Sequence, residues 1–407
     1  MNKPASSGQP RGLAASSAFS FVFTLGIVNL FADVTYEGGA SINGPFMGML
    51  GAGAAAISIV AGLGEFLGYS LRSVAGFIAD KTGKYWPITF IGYSINLLAV
   101  PAMALTHHWQ AAAIFVLAER VGRAIRKPTV EAMLSYSTGK LGRGWVYGFN
   151  SAMDETGATV GPLLLALVLF LKGSYRTGYG LLLISSLLAI ASLAVARIIF
   201  PVPSRLEEGG KPTAYGSKFL PSYWLYMAAG ACFAAGLMSF ELVSYHMSKT
   251  GTVTEFWIPL FLAISTGFGV VANIVLGRLY DRVGLPIVLV AVVLTALFSP
   301  LVFLGGFYVV LVGMLLWGIG YATQDTLLKA ILAGHLPEGK RNLAFGLFYT
   351  GYGCGWLIGS VSTGLLYDRS IALVIAFSVA IQLASLPLFI LAARSEASQN
   401  RPRSAAQ

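Results

Sequence analysis

The chain has 407 residues, is 56% hydrophobic and only 11% charged, and carries a net charge of +10 at pH 7 from 27 Lys and Arg against 17 Asp and Glu. With a mean hydropathy of +0.72, it does not read as a soluble enzyme. Its basic residues are scattered between apolar runs and form no basic domain or groove, which argues against nucleic-acid binding.

Apolar runs of about 18 residues or more read as transmembrane helices, and here they follow one another almost without pause. The runs are too long for strands and lack sustained period-two alternation. Twelve spans are expected, at roughly 17–38, 48–79, 85–106, 109–135, 144–171, 177–200, 222–248, 253–280, 284–305, 307–333, 342–368 and 370–393. The first apolar run is too long for a signal-peptide core and reads as a retained span. Cys232 and Cys354 lie in apolar runs and read as buried thiols, with neither a disulfide framework nor metal-ligand spacing.

The polar, proline-rich stretch 201–221 divides the spans six and six. The predicted architecture is therefore an all-α integral membrane protein of twelve transmembrane helices in two pseudo-symmetric halves. A tail covers 1–16, one six-helix bundle 17–200, a linker 201–221, a second bundle 222–393, and a tail 394–407. With a cytoplasmic N-terminus, 19 of the 27 basic residues fall in inner segments or at the inner ends of spans, 4 in outer segments and 4 deeper within spans. That bias predicts both termini in the cytoplasm.

The halves rhyme. The stretch from Gly76 (GFIADKTGK) matches the stretch from Gly277 (GRLYDRVGL), superposing Gly76 on Gly277, Asp80 on Asp281 and Gly83 on Gly284. At a shift of 198, Arg143, Gly148, Gly157 and Gly161 fall on Arg341, Gly346, Gly355 and Gly359, and Gly122 falls on Gly320. Repeats of this kind build transporters that rock around a site between their halves.

The loop Gly76, Asp80, Lys81, Gly83, Lys84, together with the twelve spans and their 6+6 split, resembles the major facilitator superfamily, and the resemblance extends over roughly 15–395. It implies that Asp80 and the basic residues after it hold the cytoplasmic ends of the halves together when the protein opens outward. Glu131 and the weaker copy Gly277, Asp281, Arg282 and Gly284 are expected in the same gate. Tyr85 stands where the family often has a second basic residue. In the fifth span Gly157, Gly161 and Pro162 resemble the family's glycine–proline motif, common in proton-exchanging exporters, although the usual glycines after the proline are absent. A glycine-rich packing seam with a kink is the plain alternative. The runs ERVGRAIRKPTVEAML and RGWVYGFNSAMDETGATVGPLL resemble a group of bacterial transporters, which implies an inner-membrane protein.

Ionisable residues within spans are costly and face a bundle interior or a wet cavity. Asn29, Asp33 and Glu37 recur at every fourth position of the first span and share one face. Asp33 is expected in the cavity. Glu37 lies near the outer mouth, where solvent exposure is the alternative. Glu65 and Arg72 lie two turns apart in the second span, and each is expected to meet another span or serve structural pairing. In the fourth span, helical spacing sorts Glu119, Arg123 and Arg126 to a cavity face, and Arg120, Lys127 and Glu131 to a gate face. Asp154 in the fifth span is expected to pair with Arg123 or Arg126. In the second half, Glu241 and His246 occupy different faces of span seven. Asp325 and Lys329 are expected to pair along span ten, and Tyr321, Gln324, Tyr349 and Tyr352 offer neutral polar contacts.

The sequence shows no nucleotide-binding loop, redox centre, clustered nucleophile or metal-ligand set, so neither an enzyme nor a cofactor is expected. The reading is a monomeric secondary transporter of a small solute, embedded in lipid and driven by a proton gradient, with a lean to export. Uptake or exchange of an organic anion is the alternative, favoured by the arginines. A transporter-like sensor that moves no solute is the alternative of another class.

Overall fold

The computed structural model describes residues 11–203, 221–329, 331 and 341–399. Most of the expected linker, the outermost residues of both tails, and His335 lie outside that range. Among the described residues the chain is helical with no strand. The first half comprises α1 (Arg11–Met49), α2 (Ala54–Thr82), α3 (Tyr85–Ala102), α4 (Trp109–Ser135), the short α5 (Thr138–Leu141), α6 (Arg143–Phe170) and α7 (Tyr175–Ile199). The second comprises α8 (Pro221–Gly236), α9 (Phe240–Thr250), α10 (Trp257–Val283), α11 (Leu285–Ala296), α12 (Phe298–Leu304), α13 (Phe307–Ala322), α14 (Arg341–Tyr367) and α15 (Ile371–Gln399). With α5 set aside, and with α8–α9 and α11–α12 each forming one interrupted span, these make the twelve expected spans.

Ten spans are apolar enough to cross a membrane by length and composition alone. The other two are α4, with its many charges, and α14, with six glycines diluting its apolar residues. Apolar side chains such as Ile114, Leu187, Ile198, Val271 and Ile358 cover the outside of the bundle, where hydrocarbon is the matching solvent.

The first span is longer than the sequence implied. Its polar and glycine-rich stretch, Gly38, Gly39, Ser41, Asn43 and Gly44, reads as a loop but continues the helix to Met49, with Pro45 inside it. The chain reverses only at 50–53, where Gly51 has φ +91°. Span seven, by contrast, is broken at 237–239. Span ten loosens into a π-helical turn, Thr323–Leu328, a distortion often found at functional sites.

The repeat seen in sequence is a repeat of packing. A Cβ added at Gly157 or Gly161 would lie 2.4 Å from the α1 carbonyls of Leu30 and Val34. The matching Gly355 and Gly359 of α14 would meet the α8 carbonyls of Ala231 and Ala235 at 2.2 and 2.1 Å. Each half thus clamps its first helix against its fifth through small residues, as helices do where lipid gives no hydrophobic drive to associate.

At one end the halves close on each other. A Cβ at Gly44 of α1 would lie 2.1 Å from the carbonyl oxygen of Glu241, and one at Gly48 would lie 2.8 Å from the Tyr245 ring. Phe170 and Phe256 meet edge to face at 5.5 Å. Towards the other end, the end of the Asp80 loop, a cavity of about 1940 Å³ opens between the halves, while α2 and α14 stay in contact beside it at Ser73 and Gly346.

Gly44→Val should disfavour this closure. In a chain lacking Cys232 and Cys354, a cysteine replacing Ser239 at the cavity's closed end should then react several-fold faster with an impermeant maleimide added from the Gly51 side. An unchanged rate would show that the Gly44 contact does not hold the end shut.

Candidate functional site

The cavity lies between the halves, and its walls differ. The first half supplies most of the charge, from α1, α2, α4 and α6; the second supplies mainly rings and amides. Nine carboxylates and five cationic side chains line it, so its balance is acidic.

Its closed end is built around Arg120. Nη2 of that guanidinium lies 3.3 Å from Glu65 Oε1 on α2 and 3.2 Å from Glu241 Oε1 on α9, and Nε lies 3.4 Å from Glu119 Oε2. Arg120, Glu119 and Glu241 are all buried. Glu241 stands in the first turn after the break in span seven, which brings its carboxylate to mid-depth from the second half. Among the described residues, Arg120–Glu241 is the ion pair that joins the two halves.

The expected division of the fourth span is therefore corrected. Arg120, assigned by spacing to the gate face, is the centre of the cavity's closed end. Glu119, assigned to the cavity face, is packed behind it, where Asn96 Nδ2 donates to its Oε1 at 2.9 Å. The 100° step between neighbouring residues orients Cβ atoms, but an arginine is long enough to carry its charge around the helix, and a neighbouring span decides where it goes.

A second network lies one to two turns away. Arg126 donates to Asp33 Oδ1 at 3.3 Å and to Asn96 Oδ1 at 3.1 Å and stacks over the Tyr93 ring at 4.6 Å. Tyr93 donates to Asn29 Oδ1, Asn29 donates to Asn150 Oδ1 at 2.7 Å, and Asn150 donates to Asp154 Oδ2 at 3.4 Å. This relay borders a smaller pocket of about 290 Å³, and Arg126 faces that pocket instead of the main cavity. The expected Asp154–arginine pair is not formed. Asp33 takes Arg126, and Asp154 Oδ1 is buried without a partner.

Arg123 lies 4.1 Å over the Tyr36 ring, and Tyr36 in turn donates to Glu37. Both Tyr36 and Glu37 line the cavity, so Glu37 is not a solvent-exposed mouth residue. Glu65 does meet another span, whereas the described contact of Arg72 is the Tyr69 ring of its own helix at 5.1 Å. Asp325 and Lys329 pair at 3.0 Å, as expected. His246 is buried in the second half, with Nδ1 2.8 Å from the Tyr367 hydroxyl. Cys354, expected to be buried, is exposed.

At the open end, Gly83 adopts φ +64° and caps α2 with its N–H on the Ala79 carbonyl at 2.8 Å. Gly284 has φ +72°. A Cβ added at Gly76 would lie 3.4 Å from Pro128, and one added at Gly277 would press on Thr326 at 3.3 Å. Asp80 and Glu131 line the mouth of the cavity. Asp80 accepts from the Tyr85 hydroxyl at 2.9 Å, so the residue standing where the family often has a cation provides a neutral partner instead. Lys81, Lys84, Asp281 and Arg282 are exposed.

Sequence reasoning missed Tyr36, Tyr69, Tyr93, Asn96, Asn150, Trp317 and Trp356. Asn96 and Asn150 carried a usable signal, since an amide inside an apolar span demands a partner. The aromatic residues carried none, because rings are common in such spans for packing alone. Among the described residues no group of His, Cys, Asp and Glu is arranged to hold a metal.

Fold and cavity together define a polytopic membrane protein with a polar chamber between two repeats. The Major Facilitator Superfamily profile matches residues 13–328 and 262–407, and the chain belongs to that superfamily, whose members are transporters and not enzymes. An uncharacterised protein of Mycobacterium tuberculosis is 32% identical over 378 residues, covering 91% of this chain and 92% of that protein. An uncharacterised MFS-type transporter of Methanocaldococcus jannaschii is 28% identical over 363 residues, covering 86% and 89%. Among solved structures, a mutant of the nucleoside transporter NupG superposes with a TM-score of 0.74 at 12% identity, covering 91% of this chain and all of that one. A mutant of the peptide transporter POT bound to alafosfalin superposes with a TM-score of 0.73 at 13% identity, covering 97% and 99%. At such identities these two share the fold alone.

The Asp33–Arg126 pair predicts a stability signature. Asp33→Ala strands a buried guanidinium and should cost about 3–5 kcal/mol. Adding Arg126→Met should return a good part of that loss. Thermal unfolding in detergent checks both; equal and additive losses would show that the pair is not coupled.

Proposed function

We propose that the protein is a proton-coupled secondary transporter of the inner membrane that exports a small solute in exchange for protons by alternating access. The observation that carries this reading is the Arg120 cluster. One guanidinium balances one carboxylate, and three surround it. Arg123 adds a second guanidinium over the Tyr36 ring that Arg120 also approaches, and Tyr36 holds the Glu37 carboxylate there, so four carboxylates face two cations. The remaining charge is met by protons or by a cationic group of the cargo, because uncompensated buried charge is expensive. The cluster also ties α4 to α9 across the interface that must part when the closed end opens. Charge balance and closure of the chamber are thereby coupled at one side chain.

The excess of basic residues in the loops at the open mouth supports a cytoplasmic mouth by the positive-inside rule, and with it an inward-facing reading of the structure. The Asp33–Arg126 pair and the relay ending at Asp154 stand as a second proton-sensitive group. The loops of Asp80 and Asp281 form the gate that meets when the chamber turns outward. Uptake or exchange of an organic anion has Arg123 in its favour, since this cation lines the cavity with a ring as its described partner.

Proteoliposomes loaded with a pH-sensitive dye and screened against a solute panel test the reading. A transported solute should release or take up protons on addition, and an imposed pH gradient should drive it. Glu241→Gln, Asp33→Asn and Asp154→Asn should each reduce gradient-driven flux about tenfold or more. Solute flux indifferent to pH in the wild type overturns proton coupling. A solute that binds and never crosses favours the sensor.

A further inference from the structure

The closed end of the cavity has two faces of different chemistry. On one, Glu65 and Glu241 share Arg120 Nη2 at 3.3 and 3.2 Å while Glu119 takes Nε. With all three carboxylates ionised, that face holds negative charge in excess. On the other, Trp317, Tyr321 and Trp356 form a continuous aromatic wall. The ring centroids lie 4.2 Å apart between Trp317 and Tyr321, and 5.9 Å apart between Tyr321 and Trp356. All three rings line the same cavity as the carboxylates Glu65 and Glu241.

Two polar groups there have no partner. Trp356 is 1% exposed and Ser239 is 3% exposed, yet neither Trp356 Nε1 nor Ser239 Oγ makes a hydrogen bond. Both residues line the cavity. Buried donors are nearly always satisfied in folded proteins. An indole N–H only donates, so this one calls for an acceptor.

We propose that this closed end is a binding subsite for an organic cation with a flat aromatic body. Its ammonium sits between Glu65 and Glu241, its ring packs on the Trp317–Tyr321–Trp356 wall, and an oxygen on the ring accepts from Trp356 Nε1. The carboxylates supply the Coulombic attraction, and the faces of the rings add a cation–π contribution of the same sign. Arg120 keeps Glu119 when the cargo takes its other partners. An anionic solute would meet an acidic face here, and an aliphatic amine would leave the wall and the indole N–H unmatched. This inference deepens the transporter reading and rests on it for the name of cargo. Its test measures binding without a gradient, so that it fails separately from transport.

Isothermal titration of the purified full-length chain in nanodiscs compares ligands of one skeleton: 2-phenylethylamine, 2-cyclohexylethylamine, phenylacetate and 4-methoxyphenylethylamine. The phenyl amine should bind at least tenfold more tightly than phenylacetate and several-fold more tightly than the cyclohexyl amine. The methoxy compound should bind more tightly still. Glu241→Gln and Glu65→Gln should each weaken the phenyl amine about tenfold, with Glu65→Asp retaining most of the affinity as a control for folding. Trp356→Phe, which keeps a ring and deletes the N–H, should abolish the advantage of the methoxy group alone. Equal binding of amine and carboxylate, equal binding of phenyl and cyclohexyl amines, or no binding of any ligand to monodisperse protein would each overturn the proposal. Amine binding that persists where proteoliposomes show no flux would leave this subsite standing and remove the transport reading.

Discussion

A single buried guanidinium shared by three carboxylates organises the chamber. Arg120 draws Glu65 from α2, Glu119 from its own helix and Glu241 from the opposite half into one cluster at the closed end. Such an arrangement is stable only while its charges are balanced, because desolvated ions without partners are costly and membrane interiors offer no water to replace them. The balance is incomplete within the protein itself. In the proposed mechanism, proton uptake, cargo binding and separation of the halves therefore act on the same few atoms.

Rigid packing surrounds this unbalanced point. Glycines of α6 and α14 bring those helices against the carbonyls of α1 and α8, giving each half a tight seam. The halves are packed on each other just as closely, at Gly44 and Gly48 of α1 and along α2 and α14, where a Cβ at Gly62 would lie 2.5 Å from Ser360 and one at Gly364 would lie 2.7 Å from Ser58. Two irregularities sit beside the chamber: the break at 237–239 and the π-helical turn at 323–328. The first delivers Glu241 to the cluster. The second sets Gln324 to bridge Tyr69 and Tyr352, donating to one at 2.6 Å and accepting from the other at 2.8 Å. A polar amide thus links α2 of one half to α14 of the other without a charge.

The two halves of the chamber divide their chemistry. The first half contributes most of the ionic groups, and the second contributes mainly rings and amides, with Glu241, Asp325 and Lys329 as its charges. The repeat accounts for the shared scaffold and not for this asymmetry: α13 occupies the place of α4 while carrying Trp317 and Tyr321 where α4 carries Glu119 and Arg123.

The sequence by itself determined the membrane class, the number of spans, the division into halves, the glycine seams and the family. These follow from run length, the scatter of basic residues and a register that holds across distant spans, all of which are local or periodic properties. It also marked Asp33, Glu65, Arg126 and Glu241 as buried ionisable groups that need partners. Only the tertiary structure decided who those partners are. It gave Arg126 to Asp33 in place of Asp154, moved Arg120 from the gate to the centre, and turned Glu119 away from the cavity. The reason is physical: helical spacing fixes the direction of a Cβ, whereas a long charged side chain settles where neighbouring helices offer a counter-charge, and no single helix contains that information.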